Sequence, residues 1–171
     1  MPQASAMQKS KKVVILGHFG VGKTSLIRRF VNNQFSDQYK VTIGVHINKK
    51  VVTLSAEDSI SMILWDLEGT DSLEQVRDAY LLGTHGVLFV FDVTRPSTFQ
   101  QLNSDLRIVS KKIPERPLLV VGNKKDLVSE EELNKLLLDH NISHDYLTSA
   151  KTGDNVEDLF LNLATLLNND A

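Results

Sequence analysis

The 171-residue chain has no cysteine. That excludes disulfides, thiolate metal sites, nucleophilic thiol chemistry and lipid attached through cysteine. Long apolar runs are missing too, and none reaches the ~20 residues that span a bilayer. The first eleven residues are small, polar and mildly basic, without the apolar stretch of a signal peptide, and Pro2 stands where myristoylation needs glycine. Neither sign of charge is in excess. Lys and Arg number 19 and Asp and Glu 21, for a net charge of -2, so nothing argues for nucleic acid or an anionic membrane as partner. The basic pairs Lys11-Lys12, Lys49-Lys50, Lys111-Lys112 and Lys124-Lys125 are scattered, and the five histidines show no metal-ligand spacing. There is no internal repeat or low-complexity segment. The expectation from these absences is a soluble, cytoplasmic protein, and it is expected to be a monomer. Its length suits one domain burying ~70% of its unfolded surface. That domain is expected over 12–168, after a flexible segment 1–11 and before a short end 169–171.

What is present centres on Gly17-His18-Phe19-Gly20-Val21-Gly22-Lys23-Thr24, which fits the pattern G-x-x-x-x-G-K-[ST]. With Gly at ~7% of residues, the bare pattern arises by chance in roughly one chain of this length in a hundred. The context narrows it further. Lys12 to Leu16 reads as a buried strand, and Leu26, Ile27, Phe30 and Val31 recur at helical spacing after Lys23. The loop therefore joins a strand to a helix N-terminus, where free N–H groups and the helix dipole favour an anion. Its glycines let the backbone wrap phosphate oxygens, Lys23 reaches the β- and γ-phosphates, and the Thr24 hydroxyl binds Mg²⁺. His18, Phe19, Val21 and Ser25 fall in the same nucleotide-binding stretch.

Downstream, Asn32 to Val41 has no clear period and reads as a loop. Ile47 to Leu54 and Ile60 to Trp65 pair as a hairpin across Ala56-Glu57-Asp58-Ser59. Asp66 to Ser72 is a second loop, and Leu73, Val76, Tyr80 and Leu81 predict a short helix ending near Gly83. Gly86 to Val93 and Pro117 to Gly122 read as buried parallel strands, and His144 to Thr148 as a short one. Three helix-start signals follow: Pro96-Ser97-x-x-Gln100, Ser129-x-x-Glu132 and Asp154-x-x-Glu157. Strands alternating with helices predict an α/β fold with right-handed crossovers and a largely parallel sheet. Ligands of such sheets sit beyond the carboxyl ends of the strands. Four loops fall there: Gly17 to Thr24, Asp66 to Gly69, Asn123 to Asp126, and Ser149 to Lys151.

Asp66 ends a strand, where a carboxylate is suited to hold Mg²⁺ through water. Gly69 brings its N–H towards a terminal phosphate. Asn123-Lys124-Lys125-Asp126 would be a polar turn if it stood alone. After a phosphate loop and an Asp-x-x-Gly it reads as a base site. A buried carboxylate at Asp126 accepts from the N1–H and N2–H₂ of guanine, a donor pair that adenine lacks, so ATP would leave it unpaired.

In this order and spacing the four stretches resemble a small GTPase of the Ras superfamily, nearest its Rab branch. Trp65-Asp66 leading to Gly69, Thr84-His85-Gly86-Val87, Phe91-Asp92-Val93-Thr94, Gly122-Asn123-Lys124-Lys125-Asp126-Leu127 and Thr148-Ser149-Ala150-Lys151-Thr152-Gly153 carry the likeness. It runs from about Lys11 to Leu167. The resemblance implies the P-loop NTPase (Ras-like) fold: a six-stranded, mostly parallel sheet with one antiparallel strand and helices on both faces. It implies a GTP/GDP-binding switch that uses Mg²⁺. Asn123 and Asp126 would read guanine while the stem of Lys124 covers the base. The Ala150 N–H would meet guanine O6, helped by Ser149 and Lys151, and Phe35 would pack against the base edge. Thr42 would bind Mg²⁺ and the γ-phosphate only in the GTP state. Effector and exchange proteins would engage Phe35 to Val45 and Glu68 to Tyr80.

Three departures from the family pattern cluster at the γ-phosphate. The family's Asp-x-Ala-Gly-Gln reads Asp66-Leu67-Glu68-Gly69-Thr70 here. Thr70 replaces the glutamine that orients the attacking water. Glu68 replaces a small alanine, and its carboxylate repels the phosphate, binds the metal or turns outward. Phe19 stands where a small residue is usual and crowds any incoming arginine finger. His18 is read as an exposed loop residue. The chain stops at Asn168-Asn169-Asp170-Ala171 with neither cysteine nor a basic run, so either no lipid is needed or a tail was removed. The leading expectation is a switch with slow hydrolysis, with Glu68 and Thr70 as atypical catalytic positions. The alternatives are a GTP-locked scaffold and an ATP-using P-loop kinase. Asp126 and the lack of a lid segment argue against the kinase.

Overall fold

The computed structural model describes residues 8–70 and 72–170. The expected flexible segment thus lies mostly outside the described residues, as do Asp71 in the second switch segment and Ala171 at the C-terminal end. The described chain forms six strands and five α-helices in the order β1 (Lys9–Gly17), α1 (Lys23–Asn32), β2 (Val45–Thr53), β3 (Ser59–Leu67), α2 (Asp78–Leu81), β4 (Gly86–Asp92), α3 (Leu102–Lys112), β5 (Leu118–Asn123), α4 (Glu130–Asp139), β6 (Tyr146–Leu147) and α5 (Val156–Asn169). The sheet order is β2-β3-β1-β4-β5-β6. Only β2 runs antiparallel to its neighbour, pairing Val45 with Leu67 through to Thr53 with Ser59.

Two apolar layers sandwich this sheet. On one side α1 and α5 pack Leu26, Ile27, Phe30, Leu159, Phe160 and Leu163 against Val13, Ile15, Leu64 and Val90. Phe30 and Phe160 stack with ring centroids 4.1 Å apart. On the other side Leu81, Leu102, Val109 and Leu133 cover Val14, Leu16, Phe89 and Phe91. The alternation of Val13/Ile15 with Val14/Leu16 follows from the two-residue period of a strand. A strand buried on both faces has to be apolar throughout, and every residue of β4 is buried.

Several expected boundaries shift. Residues 9–11, expected in the loose N-terminal segment, belong to β1, because β3 extends far enough to pair Lys9 with Ile60. The single helix expected from Leu73 to near Gly83 splits into a 3₁₀ turn at Leu73–Gln75 and the one-turn α2, since Val76 and Arg77 adopt extended backbone. Pro96-Ser97-x-x-Gln100 makes a 3₁₀ turn, and α3 starts only at Leu102. Thr98 is responsible: its hydroxyl accepts from the Asp92 N–H and donates to the Arg95 carbonyl, turning the chain before a helix can start. Ser129 and Glu132 form the full reciprocal capping box at α4. Asp154 does not cap α5. The N-cap is Asn155 in left-handed backbone, and the Asp154 carboxylate pairs with Lys125. The strand expected over 144–148 shrinks to Tyr146–Leu147, with the Asp145 side chain accepting from the Val120 N–H at 2.7 Å.

Candidate functional site

At the carboxyl ends of β1, β3, β5 and β6 lies a cavity of about 290 Å³. It is lined by Phe19, Gly20, Gly22, Lys23, Thr24, Ser25, Phe35, Thr42, Gly69, Asn123, Lys124, Asp126, Ala150 and Lys151 among others. Those fourteen come from five separate sequence stretches, and all were expected site residues. Gly22 caps α1 in left-handed backbone (φ 99°), and a Cβ there would stand 2.3 Å from Asn123 Nδ2. Gly69 is needed for another reason: a Cβ would come within 2.6 Å of the Phe19 backbone. The second switch thus meets the phosphate loop backbone to backbone.

Lys23 is 6% exposed, and its Nζ donates to the Gly17 and His18 carbonyls at 3.1 Å each. Burial lowers its pKa to about 8; the Asp66 carboxylate opposes that shift and the Arg95 guanidinium adds to it. Beside it the Thr24 hydroxyl donates to Asp66 Oδ2 at 2.5 Å and lies 2.8 Å from the Thr42 hydroxyl. The other Asp66 oxygen, Oδ1, is buried with no hydrogen-bond partner, and burial raises the carboxyl's pKa against the Thr24 hydrogen bond and Lys23. An orphaned oxygen on a buried carboxylate whose other oxygen meets a hydroxyl, itself beside a second hydroxyl, gives a hard-oxygen set of the kind Mg²⁺ takes, with few protein ligands and room for water and phosphate. The residues present therefore fit that ion.

Asn123 binds the separate loops together. Its Nδ2 donates to the Val21 carbonyl at 3.0 Å, and its Oδ1 accepts from Thr148 Oγ1 and the Ala150 N–H, each at 3.2 Å. The Ala150 N–H, expected to point at a base oxygen, is thus given to Asn123. Asp126 is exposed on the cavity wall, contrary to the buried carboxylate expected, and its Oδ1 accepts from Ser149 Oγ at 2.7 Å. It remains aimed by that bond, since a carboxylate can accept several donors at once. Lys124, in left-handed backbone, reaches across to the Gly20 carbonyl at 2.7 Å and the buried Asp92 carboxylate at 2.8 Å. Its alkyl stem is thereby laid along the cavity. Arg29 of α1 holds the base loop from behind, donating to the Ala150 and Lys151 carbonyls.

The departures have definite places. Glu68 points out of the cavity: it is exposed, its Oε2 accepts from the Gly44 N–H, and its own N–H donates to the Gly44 carbonyl, both at 2.9 Å. Of the three possibilities for its carboxylate, the structure shows the outward one. The Thr70 hydroxyl is spent on its own turn, donating to the Ser72 carbonyl at 2.9 Å. Phe19 is 45% exposed at the cavity mouth. His18 is not the exposed residue expected, for its Nε2 lies 3.5 Å from Asp105 on α3 in a mostly buried pair. Burial raises the Asp105 pKa and the His18 contact opposes that.

Arg95 escaped the sequence reading, and Asp92 and Tyr39, though inside segments named above, were not expected at the site. Arg95 Nη2 donates to the Phe19 carbonyl at 2.6 Å. The available signal was position: Asp92 ends a buried strand and Arg95 follows it, at the same carboxyl edge as the recognised loops.

Residues 12–169 match the Ras family. The chain is 38% identical over 167 residues to the "Ypt/Rab-type GTPase YPT7" of Saccharomyces cerevisiae, covering 90% of this chain and 79% of that protein. It is 38% identical over 167 residues to the "Ras-related protein RABG3e" of Arabidopsis thaliana, covering 90% and 80%. With the "GTP-binding protein ypt4" of Schizosaccharomyces pombe it shares 32% over 165 residues, covering 91% and 70%. A phosphate loop, a hydroxyl–carboxylate cluster and a base loop around one cavity, together with these matches, place the chain in the Ras family of small GTPases, among its Rab-like members.

Proposed function

We propose that the chain is a Mg²⁺-dependent GTP/GDP switch with slow intrinsic hydrolysis. One contrast carries the reading. The groups expected to bind nucleotide converge on the cavity, whereas Thr70, in place of the water-orienting glutamine, and Glu68, in place of a small alanine, are both engaged elsewhere. Lys23 and the N-terminus of α1 receive the phosphates, and Asp126, aimed by Ser149, accepts from the guanine edge. Thr24 and Asp66, joined by Thr42 with a triphosphate, would hold Mg²⁺. When bound, that ion neutralises charge on the β- and γ-phosphates.

Thr70 cannot hold water in line from a hydroxyl committed to Ser72, so positioning of the nucleophile is the deficient part. Tyr39, Val41 and Ile43 expose apolar side chains beside the cavity, Ile43 at 80%. Effector and exchange proteins would dock on that segment, 35–45, and on 68–80. A GTP-locked scaffold remains the second reading, favoured by the paired Glu68–Gly44 bonds that join both segments in one arrangement.

Competition of GTP and ATP against a fluorescent guanine nucleotide, followed by phosphate release in a single turnover, tests both. GTP should displace the probe and ATP should not, with slow but measurable release. Equal displacement by ATP overturns the proposal, and no release at all favours the scaffold.

A further inference from the structure

We infer that Arg95 is a built-in arginine of the phosphate site, supplying from within the chain the cation that an activating partner would otherwise insert. The inference rests on the GTP-binding reading above.

The placement of Arg95 starts from its backbone. The Arg95 N–H donates to the Asp92 carbonyl, its own carbonyl accepts from Thr98, and Pro96 fixes the next residue in a 3₁₀ turn. The side chain therefore leaves a braced loop at the end of β4. It crosses to the phosphate loop, where Nη2 takes the Phe19 carbonyl at 2.6 Å. Nη1 lies 2.9 Å from the point a Gly20 Cβ would occupy, and the Tyr39 ring approaches that same point at 3.7 Å. The guanidinium is thus held between the phosphate loop and the first switch segment. Gly69 packs against the Phe19 backbone from the second switch. Both switch segments and Arg95 therefore meet at Phe19-Gly20, which line the cavity, and the inference puts the terminal phosphate at that end. Arginine is suited to this position, since its planar fork donates to a carbonyl and a phosphate oxygen at once. Its positive charge also contributes to the lowered pKa of buried Lys23.

In hydrolysis the water oxygen bonds to the γ-phosphorus as the bond from phosphorus to the β–γ bridging oxygen breaks. The electron pair stays on that oxygen of GDP, and the water's proton passes to the released phosphate. Negative charge grows on the bridging oxygen, and a cation already in place stabilises it without reorganisation. Phe19 obstructs an arginine arriving from outside, so an internal one is the cation that reaches this site.

The experiment compares the unmodified protein with R95A and R95K. It measures GDP affinity, melting temperature, single-turnover GTP hydrolysis and binding of GDP with aluminium fluoride, without any partner protein. The unmodified protein should form the GDP–aluminium fluoride complex alone. R95A should lose that complex and hydrolyse about tenfold or more slowly, in line with the advantage of an arginine held in cis. GDP affinity and melting temperature should stay near those of the unmodified protein, and R95K should recover only part of the rate. The inference is overturned if R95A hydrolyses at the original rate. It is equally overturned if GDP affinity and melting temperature fall along with hydrolysis, which would make Arg95 a structural clamp. A protein that binds GTP yet forms no aluminium fluoride complex refutes the role of Arg95 alone. One that does not bind GTP refutes the underlying reading as well.

Discussion

Lys23 bears the largest electrostatic cost in the site. Its folded pKa, about 8, lies below the ordinary 10.5. Between those values the unfolded chain holds the proton more firmly, so stability of the nucleotide-free protein rises with pH across that window. At ~1.4 kcal/mol per pH unit the full gain is about 3 kcal/mol. Denaturant unfolding from pH 7.5 to 10 should show this rise in the nucleotide-free protein. K23M should lose it while binding GTP poorly; a variant with the same pH slope would contradict the burial argument. On the proposed reading, base choice too rests on a single residue, Asp126. D126N exchanges one acceptor for a donor, so nucleotide competition should shift from GTP towards xanthosine triphosphate. Unchanged guanine preference would remove Asp126 from the base site. Lys23, Thr24 and Asp66 were legible in the sequence because residue type and spacing carry their chemistry. Arg95 and the His18–Asp105 pair were not, because each depends on where a distant loop or helix crosses the phosphate loop.

At the scale of elements, the two switch segments are joined by the reciprocal Glu68–Gly44 backbone and side-chain bonds. A switch requires their order to depend on nucleotide. Hydrogen exchange should be slower with GTP than with GDP over 35–45 and 68–80, and equal protection would support the scaffold. E68A removes one of the two bonds, so exchange at Gly44 should quicken with little change in GDP affinity. If Glu68 instead held the metal, E68A would weaken nucleotide binding in Mg²⁺. The long elements were legible from periodicity, and so was the α4 capping box, which needs only local residues. Two similar signals misled. At Ser97 the Thr98 hydroxyl turned the chain first, and at Asp154 an ion pair with Lys125 claimed the carboxylate. The first outcome hangs on a hydroxyl bond three residues back along the chain, and the second on a partner from a distant loop. Among the described residues no helix is long and apolar enough to cross a membrane.

On the proposed reading, the whole molecule combines a nucleotide-binding cavity with a hydrolytic site that lacks its water-orienting glutamine. If Arg95 acts as inferred, it offsets part of what Thr70 loses, and turnover is expected to be slow rather than absent. T70Q with F19G restores a water-orienting amide and opens the mouth of the cavity, so hydrolysis should rise at least about tenfold; no change would show that the deficit lies elsewhere. The most direct test is single-turnover hydrolysis of GTP by the unmodified protein alone, in Mg²⁺. The account predicts a rate constant at or below the ~10⁻⁴ s⁻¹ order of unaided Ras. A rate much above ~10⁻³ s⁻¹ would contradict it.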